Sequence, residues 1–313
     1  MSSLSHEEKF LFDLQGYIVV RNVLTKEDVA SANSAIDAHV NDISDREGAL
    51  RNAPADSKMA AENCRRDLGG MLGWEEGNVF RRLLAHPKLI PYLNAFVGEG
   101  YRLDHQPMVI CQNTNSEGFS LHGGPLTSSG DINPILQYRC SQSGTFFNTL
   151  LAMSVQLSDH NEGDGGFVAI PGSHKLNLAV PDEIAEGTSP AFEGVIRQPV
   201  TRAGDVVFFS EATVHGAAAW RAAHERRIAL YRFAPPNFGY GRGWTENWGI
   251  SERAMKALLT NEQRSVLQPP YANRLERECV YVDDDGATVK TRHHVRNAAK
   301  KAFDKRCFNT EYF

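Results

Sequence analysis

Apolar positions recur at two different periods along this chain. In the first third the spacing is helical. His6 to Leu14 reads as a helix, and Gly16 can take the left-handed conformation that ends one. Tyr17 to Val20 follows as a short buried strand rich in β-branched residues. Thr25 predicts an N-cap, with Glu27 and Asp28 in the first turn of a second helix. Val29, Ala32, Ile36 and Val40 then recur on one helical face. Residues 44–72 are polar and Ala-rich, without a strong period, and read as a loop or short helices over an opening. Asn78 to Phe96 reads as a helix broken near Pro87 and Pro91.

From Tyr101 the period shortens. Met108–Cys111, Phe146–Leu157, Phe167–Ile170, Val195–Pro199, Asp205–Phe209 and Arg227–Phe233 are β-type runs separated by Gly, Pro, Asn and Asp clusters. Gly163-Asp164-Gly165-Gly166 and Pro171-Gly172-Ser173 supply turn chemistry. Many short strands with such punctuation predict an all-β sandwich or barrel. Past Phe238 the chain turns aromatic and loop-like, then helical from Ser251, with a capping-box pattern at Thr260 to Gln263. A hairpin is predicted around Asp285-Gly286, and a basic stretch from Lys290 to Arg306 reads as helical from Val295. The pattern predicts one domain, mainly β with flanking helices (α+β). Its parts are a helical N-terminal region at 1–97, a β core at about 101–235, and an aromatic and helical extension at 236–313.

Composition narrows the functional classes. A net charge of −5 and a pI near 6.1 argue against binding dominated by nucleic-acid phosphates, and the basic tail reads as a solvated face. No segment has the apolar length of a membrane span. The start lacks the basic flank and apolar run of a signal peptide. Cys64, Cys111, Cys140, Cys279 and Cys307 are sparse and unpatterned, which fits a reducing compartment. The expectation is a soluble cytoplasmic protein with no nucleic-acid and no membrane partner.

The chemistry concentrates in a few positions. His122 follows the strand-like Phe119-Ser120-Leu121 and precedes Gly123, Gly124 and Pro125; the two glycines permit close backbone approach beside the imidazole. His215 stands past the apolar run Val206–Phe209, delivered by Glu211 to Val214. Arg226 opens another apolar strand, where a buried guanidinium needs an anion; the spacing favours it over Arg227. Gln137 and Asn148 lie near strands that can face a cavity. His105, His160, His174 and His224 read as surface or packing residues. The aromatic stretch Phe238 to Trp244 reads either as a pocket mouth or as packing of the C-terminal segment.

Taken in order, these segments resemble the phytanoyl-CoA dioxygenase family. The resemblance runs from Gly16-Tyr17-Ile18-Val19-Val20 and Leu24-Thr25 through Leu121-His122. It continues through Gly166-Phe167-Val168-Ala169-Ile170-Pro171-Gly172-Ser173-His174-Lys175, Gly204 to Phe209, His215-Gly216 and Arg226. It implies a double-stranded β-helix (jelly-roll) core, an Fe(II) ion held by His122 and His215, and 2-oxoglutarate held by Arg226; from their place near strands, Gln137 and Asn148 are each candidates to hydrogen-bond that cosubstrate. The implied activity is oxidation of an unactivated C–H bond in a small-molecule substrate, free or carrier-tethered.

One position departs from the family pattern. Where His-x-Asp is expected the chain has His122-Gly123-Gly124, so the usual carboxylate is missing. An open position at Gly124 would admit chloride or bromide, as in halogenases that use the same cosubstrate. Alternatively, another carboxylate completes the ligands and the outcome is hydroxylation; Asp131, Glu117 and Asp104 are the candidates by proximity. In a third reading two histidines and water suffice, or the site is catalytically inactive and the chain only binds ligands. A residue two places after His122 projects to the same side of an extended strand, which favours the open site over a replacement from Asp131.

Overall fold

In the computed structural model, which describes residues 4–240, 248, 250–270, 277–293 and 298–309, helix boundaries follow their caps. Ser5 and Glu8 form a reciprocal capping box before the helix His6–Gln15, and Gly16 closes it at φ 80°. Thr25 and Asp28 do the same for Lys26–Ala38. Ala32 and Ile36 of that helix are buried, whereas Val40 is 50% exposed because the helix ends before reaching it. The break near Pro87 separates Asn78–Arg82 and a short 3-10 turn from the helix Ile90–Phe96. Pro91 sits at the start of that second helix, where its missing N–H costs no hydrogen bond.

The strands in chain order are β1 (Tyr17–Val20), β2 (Ser44–Asp45), β3 (Arg66–Leu68), β4 (Arg102–Leu103), β5 (Met108–Gln112), β6 (Phe119–His122), β7 (Tyr138–Cys140), β8 (Phe146–Asn148), β9 (Leu151–Gln156), β10 (Gly166–Ala169), β11 (Val206–Ser210), β12 (His215–Ala218), β13 (Arg226–Ala234), β14 (Cys279–Val282) and β15 (Val289–Arg292). A large antiparallel sheet has the order β1-β11-β9-β13-β5-β3-β2, with β4 paired to β13. A smaller antiparallel sheet has the order β10-β12-β6. The pairs β7–β8 and β14–β15 stand apart from both.

Strand alternation builds the layers. Val207 and Phe209 of β11, with Ile228 and Leu230 of β13, cluster with Phe167 and Ala169 of β10, so this face of the large sheet packs on the small sheet. The intervening residues Val206, Phe208, Ala229 and Tyr231 face the helices, where Phe12, Ile36, Phe80 and Phe96 are buried. Phe12 and Phe96 stack with ring centroids 3.8 Å apart, tying the first helix to the helix Ile90–Phe96. The layers therefore run helices, large sheet, small sheet, and the space between the sheets is open at one end to the site described below.

Several elements differ from the sequence pattern. Residues 44–72 contribute β2 and β3 to the edge of the large sheet rather than remaining a loop. The run Phe146–Leu157 splits into β8 and β9. Val195–Pro199 is not a strand: Phe192–Val195 forms a helical turn, and Arg197 alone bridges to Ala169, with the N–H-less Pro199 two residues on. The predicted hairpin is present as β14 and β15, with Gly286 at φ 71° in the turn. Gly241 to Trp244 of the aromatic stretch, and Val295 and Arg296 of the basic segment, lie outside the described residues. Among the described residues, no helix is long and apolar enough to cross a membrane.

Candidate metal centre

His122 and His215 are direct cross-strand partners in the β6–β12 ladder. Facing residues of an antiparallel pair lie within side-chain reach, and here the ring centroids are 4.3 Å apart. Each ring is oriented by its own strand: Nδ1 of His215 lies 2.7 Å from the Thr213 carbonyl, and Nδ1 of His122 lies 3.0 Å from the Ser120 carbonyl. A carbonyl only accepts, so both Nδ1 atoms carry the proton and both Nε2 atoms keep a lone pair, as metal ligation requires. Burial, with His122 alongside, pushes His215 down to about 3. His122 is exposed on one side, yet desolvation of the ring where it meets the protein lowers it too, so both rings are neutral near pH 7. His122 borders cavities on both of its sides, while His215 is 4% exposed.

The third donor comes from an unexpected direction. Glu211, immediately after β11, joins the two histidines in a group whose ligand atoms all lie within 4.8 Å of one another. Its Oε2 is 3.6 Å from His215 Nε2, too long for a hydrogen bond. Two donors each about 2.1 Å from a shared ion at right angles would sit about 3 Å apart, so the spacing accommodates one. The other carboxylate oxygen, Oε1, accepts from Arg232 Nε at 2.6 Å. Burial works to raise this carboxyl, but the Arg232 guanidinium and the two imidazoles hold it down at about 2. The connection carrying it is pinned: Glu211 N–H donates to Leu150 O, Thr213 Oγ1 to Gly16 O, and Val214 N–H to Ser173 Oγ at 2.7 Å. Two neutral imidazoles and one ionised carboxylate match the donor set that holds non-haem Fe(II) while leaving positions open.

Gly124 lies in a backbone conformation that disfavours any side chain. It lies at φ +98°, and a Cβ there would meet Val214 Cγ2 at 3.1 Å and the Leu126 carbonyl at 3.7 Å. At Gly123, φ +89°, a Cβ would collide with the Glu211 and Thr213 carbonyls. The chain therefore turns away directly after His122, and the same-side argument from strand geometry does not reach position 124. Of the other carboxylates considered, Asp131 is exposed in a loop and accepts from Ser129 Oγ. Glu117 is buried against Arg51, and Asp104 against Arg102 and His105. None of the three joins the cluster.

Behind the cluster lies a cavity of about 210 Å³ between the sheets. Arg226, Ile228, Leu230 and Arg232 line it from alternate positions of β13. Arg226 is 3% exposed, and its Nη1 donates to Gln112 Oε1 at 2.5 Å, while its Nε has no partner. Burial, with Arg65 nearby, lowers this guanidinium to about 9. Gly166, at φ +80°, makes room for it: a Cβ there would lie 2.7 Å from Arg226 Nε. Arg227 points away into ion pairs with Glu225 and Asp37. Gln137 and Asn148 do not line the cavity. Gln137 donates to the Asn133 carbonyl, and Asn148 Nδ2 to the Phe96 carbonyl at 2.7 Å. Gln112 and Ser154 are the neutral polar residues that do line it. His174 is buried under Tyr138 and bonded to the Asp13 carbonyl, a packing role.

Sequence reasoning missed Glu211, Gln112, Arg46 and Arg65. A signal existed for the first: an acid at the end of the apolar run Val206–Ser210, ahead of the second histidine, is out of place unless it is partnered.

Two stacked antiparallel sheets, with two imidazoles and a carboxylate converging at the strand ends before a buried arginine, define a non-haem iron enzyme of the 2-oxoglutarate-dependent class. The chain belongs to the phytanoyl-CoA dioxygenase (PhyH) family, whose pattern it matches over residues 12–228. Its fold is similar to that of HygX from Streptomyces hygroscopicus with nickel and 2-oxoglutarate bound, at 19% identity and TM-score 0.61, covering 80% of this chain and 94% of that one. HygX with nickel, 2-oxoglutarate and hygromycin B aligns at 22% identity and TM-score 0.61, covering 77% and 90%. SnoN, a non-heme alpha ketoglutarate dependent epimerase from nogalamycin biosynthesis, aligns at 22% identity and TM-score 0.50, covering 75% and 85%. No curated protein sequence matches the chain.

Proposed function

We propose that this protein hydroxylates an unactivated C–H bond of a small molecule, with Fe(II) held by His122, His215 and Glu211, in a core whose two sheets close as a jelly-roll. The observation carrying this reading is the convergence of Glu211 on the two histidines. Bound Fe(II) with 2-oxoglutarate supplies oxygen activation coupled to oxidative decarboxylation of the diacid to succinate. Arg226 is the anchor for the distal carboxylate of the cosubstrate: its unpartnered Nε and its bond to neutral Gln112 leave its charge uncompensated inside the barrel. Arg232 holds one oxygen of Glu211 and thereby directs the other toward the histidines. Ile110, Phe167, Phe209 and Ile228 keep the cavity dry around these groups.

A carboxylate supplied from position 211 weakens the argument for halogenation, which needs the ligand position at Gly124 to stay vacant. The test is succinate release by anaerobically reconstituted protein exposed to oxygen, with and without chloride or bromide. Succinate should form in either case, with no halogenated product. Glu211→Ala should weaken Fe(II) binding at least about tenfold and lower succinate release in step. Full turnover in Glu211→Ala, or halogen in the product, would sink the assignment. Retention of ligands with no turnover would point instead to a binding protein.

A further inference from the structure

Among the described residues, four arginines line the cavity, Arg46, Arg65, Arg226 and Arg232, and no acid does. Arg232 is committed to Glu211, and Arg226 sits at the deep end, 3% exposed. Arg65 and Arg46 are the outer pair, with side chains 13% and 29% exposed. Both lean on one carboxylate: Arg65 grips Asp67 with Nε at 2.6 Å and Nη2 at 3.1 Å, and Arg46 Nη1 reaches the same group at 3.2 Å. Two guanidiniums thus share one negative charge. Both also lie over the Phe119 ring, at 5.3 and 5.8 Å from its centroid. Burial lowers Arg65, with Asp67 opposing the shift and Arg46 and Arg232 adding to it; two guanidiniums on one carboxylate leave one positive charge in excess here. Nearby Arg66 and Arg51 add nothing to this excess, since Glu225 and Glu117 pair with them.

Phe119 links the outer pair to the metal side: both guanidiniums lie over its ring, and its centroid is 5.0 Å from that of His122. Met108 and Leu230 add further apolar lining to the same cavity. A ligand seated there meets one surplus cation at one end and hydrocarbon along its length. Resting on the function proposed above, we infer that the substrate is an amphipathic monocarboxylic acid, whose carboxylate docks on Arg65 and Arg46 while its hydrocarbon part extends toward His122 and His215. Asp67 occupies the Nε–Nη2 edge of Arg65 and holds the guanidinium in place; the Nη1–Nη2 edge is the one that can meet a substrate carboxylate in two parallel hydrogen bonds. A single surplus charge selects a monoanion over a dianionic phosphate ester.

The test uses the full chain loaded with Ni(II) and 2-oxoglutarate, so that binding is read without turnover. Calorimetry would compare linear and phenyl-substituted monocarboxylates of four to ten carbons with their neutral amides, and with phenyl phosphate. At least one acid should bind about tenfold or more tighter than its amide. Arg65→Met should remove that preference and Arg46→Gln should reduce it, while the affinity for 2-oxoglutarate stays within about twofold in Arg46→Gln. Arg65→Lys should recover only part of it, because an ammonium lacks the fork. Should Arg65→Met not fold, Arg46→Gln and Arg65→Lys carry the comparison. Equal binding of acids and amides, no binding of any acid, or preference for phenyl phosphate would overturn the inference while the metal and cosubstrate assignment stands. Failure of the wild-type protein to bind 2-oxoglutarate would instead remove the reading it rests on.

Discussion

A single backbone angle decides what position 124 can contribute. With φ at +98° and its Cβ direction blocked by Val214, Gly124 occupies a conformation that L side chains avoid. Gly124→Asp should therefore cost about 1 kcal/mol or more in urea unfolding. Placed in a Glu211→Ala background, it should leave Fe(II) affinity at the weakened level, measured by anaerobic titration. Recovery of tight binding would mean that the loop after His122 can swing its side chain to the metal. Glu211 shows the converse situation. Its place at the end of an apolar run marks it as needing a partner without naming one, and its carboxylate ends 3.6 Å from a histidine and hydrogen-bonded to an arginine from another strand. His122, His215 and Arg226 were legible because each stands at a marked place in a strand pattern. Glu211 was not, because its meaning depends on three partners brought from β6, β12 and β13.

Among the elements, the short connection from β11 to β12 carries the most consequence, because it holds Glu211 and His215 at a set separation. Ser173, in the Pro171-Gly172-Ser173-His174-Lys175 segment, braces it: Oγ accepts from Val214 N–H and donates to the Ile170 carbonyl at 2.6 Å. Ser173→Ala leaves a buried N–H without its partner, a loss of about 1–3 kcal/mol. The expected result is lower urea stability together with looser metal binding, since the turn that spaces the two ligands relaxes. Unchanged metal affinity at reduced stability would mean that Ser173 supports the fold alone. The strand segments around this turn were readable from their apolar runs. Strands β2 and β3 were not, since they are short, polar and charged, and hold their place at the sheet edge by pairing β3 with β5 and β2 with β3. That pairing is what carries Arg46 and Arg65 to the cavity.

Across the whole molecule, buried neutral histidines link folding to pH. Burial pushes His174 down to about 4 from an ordinary 6.5, and it lowers His86 to about 4 as well. In the unfolded chain these rings titrate normally and bind protons more readily than in the folded protein. Their contribution is therefore fully present above about pH 6.5 and is lost as pH falls toward 4. For His174, which is 1% exposed, the size is on the order of 3 kcal/mol. Urea midpoints of the wild-type protein should fall across that interval, and His174→Gln should fall less steeply. Parallel slopes for the two proteins would exclude His174 as a contributor. His174 joins the bracing segment to the Asp13 carbonyl of the first helix, so acid should loosen helix and turn together.

By itself the sequence determined the class of this protein: strand runs set apart by turn residues, two histidines and an arginine at strand ends, and the ordered segments that resemble the PhyH family. These are local properties, because the two-residue period of a strand and the chemistry of a turn are written in adjacent positions. The tertiary structure decided which carboxylate faces the imidazoles, that Gln112 rather than Gln137 or Asn148 lines the cavity, and that two further arginines line it as well. Such neighbours are set by register between strands distant in the chain, as in the pairing of His122 with His215 and of Arg226 with Gln112, and no spacing along the chain encodes that register.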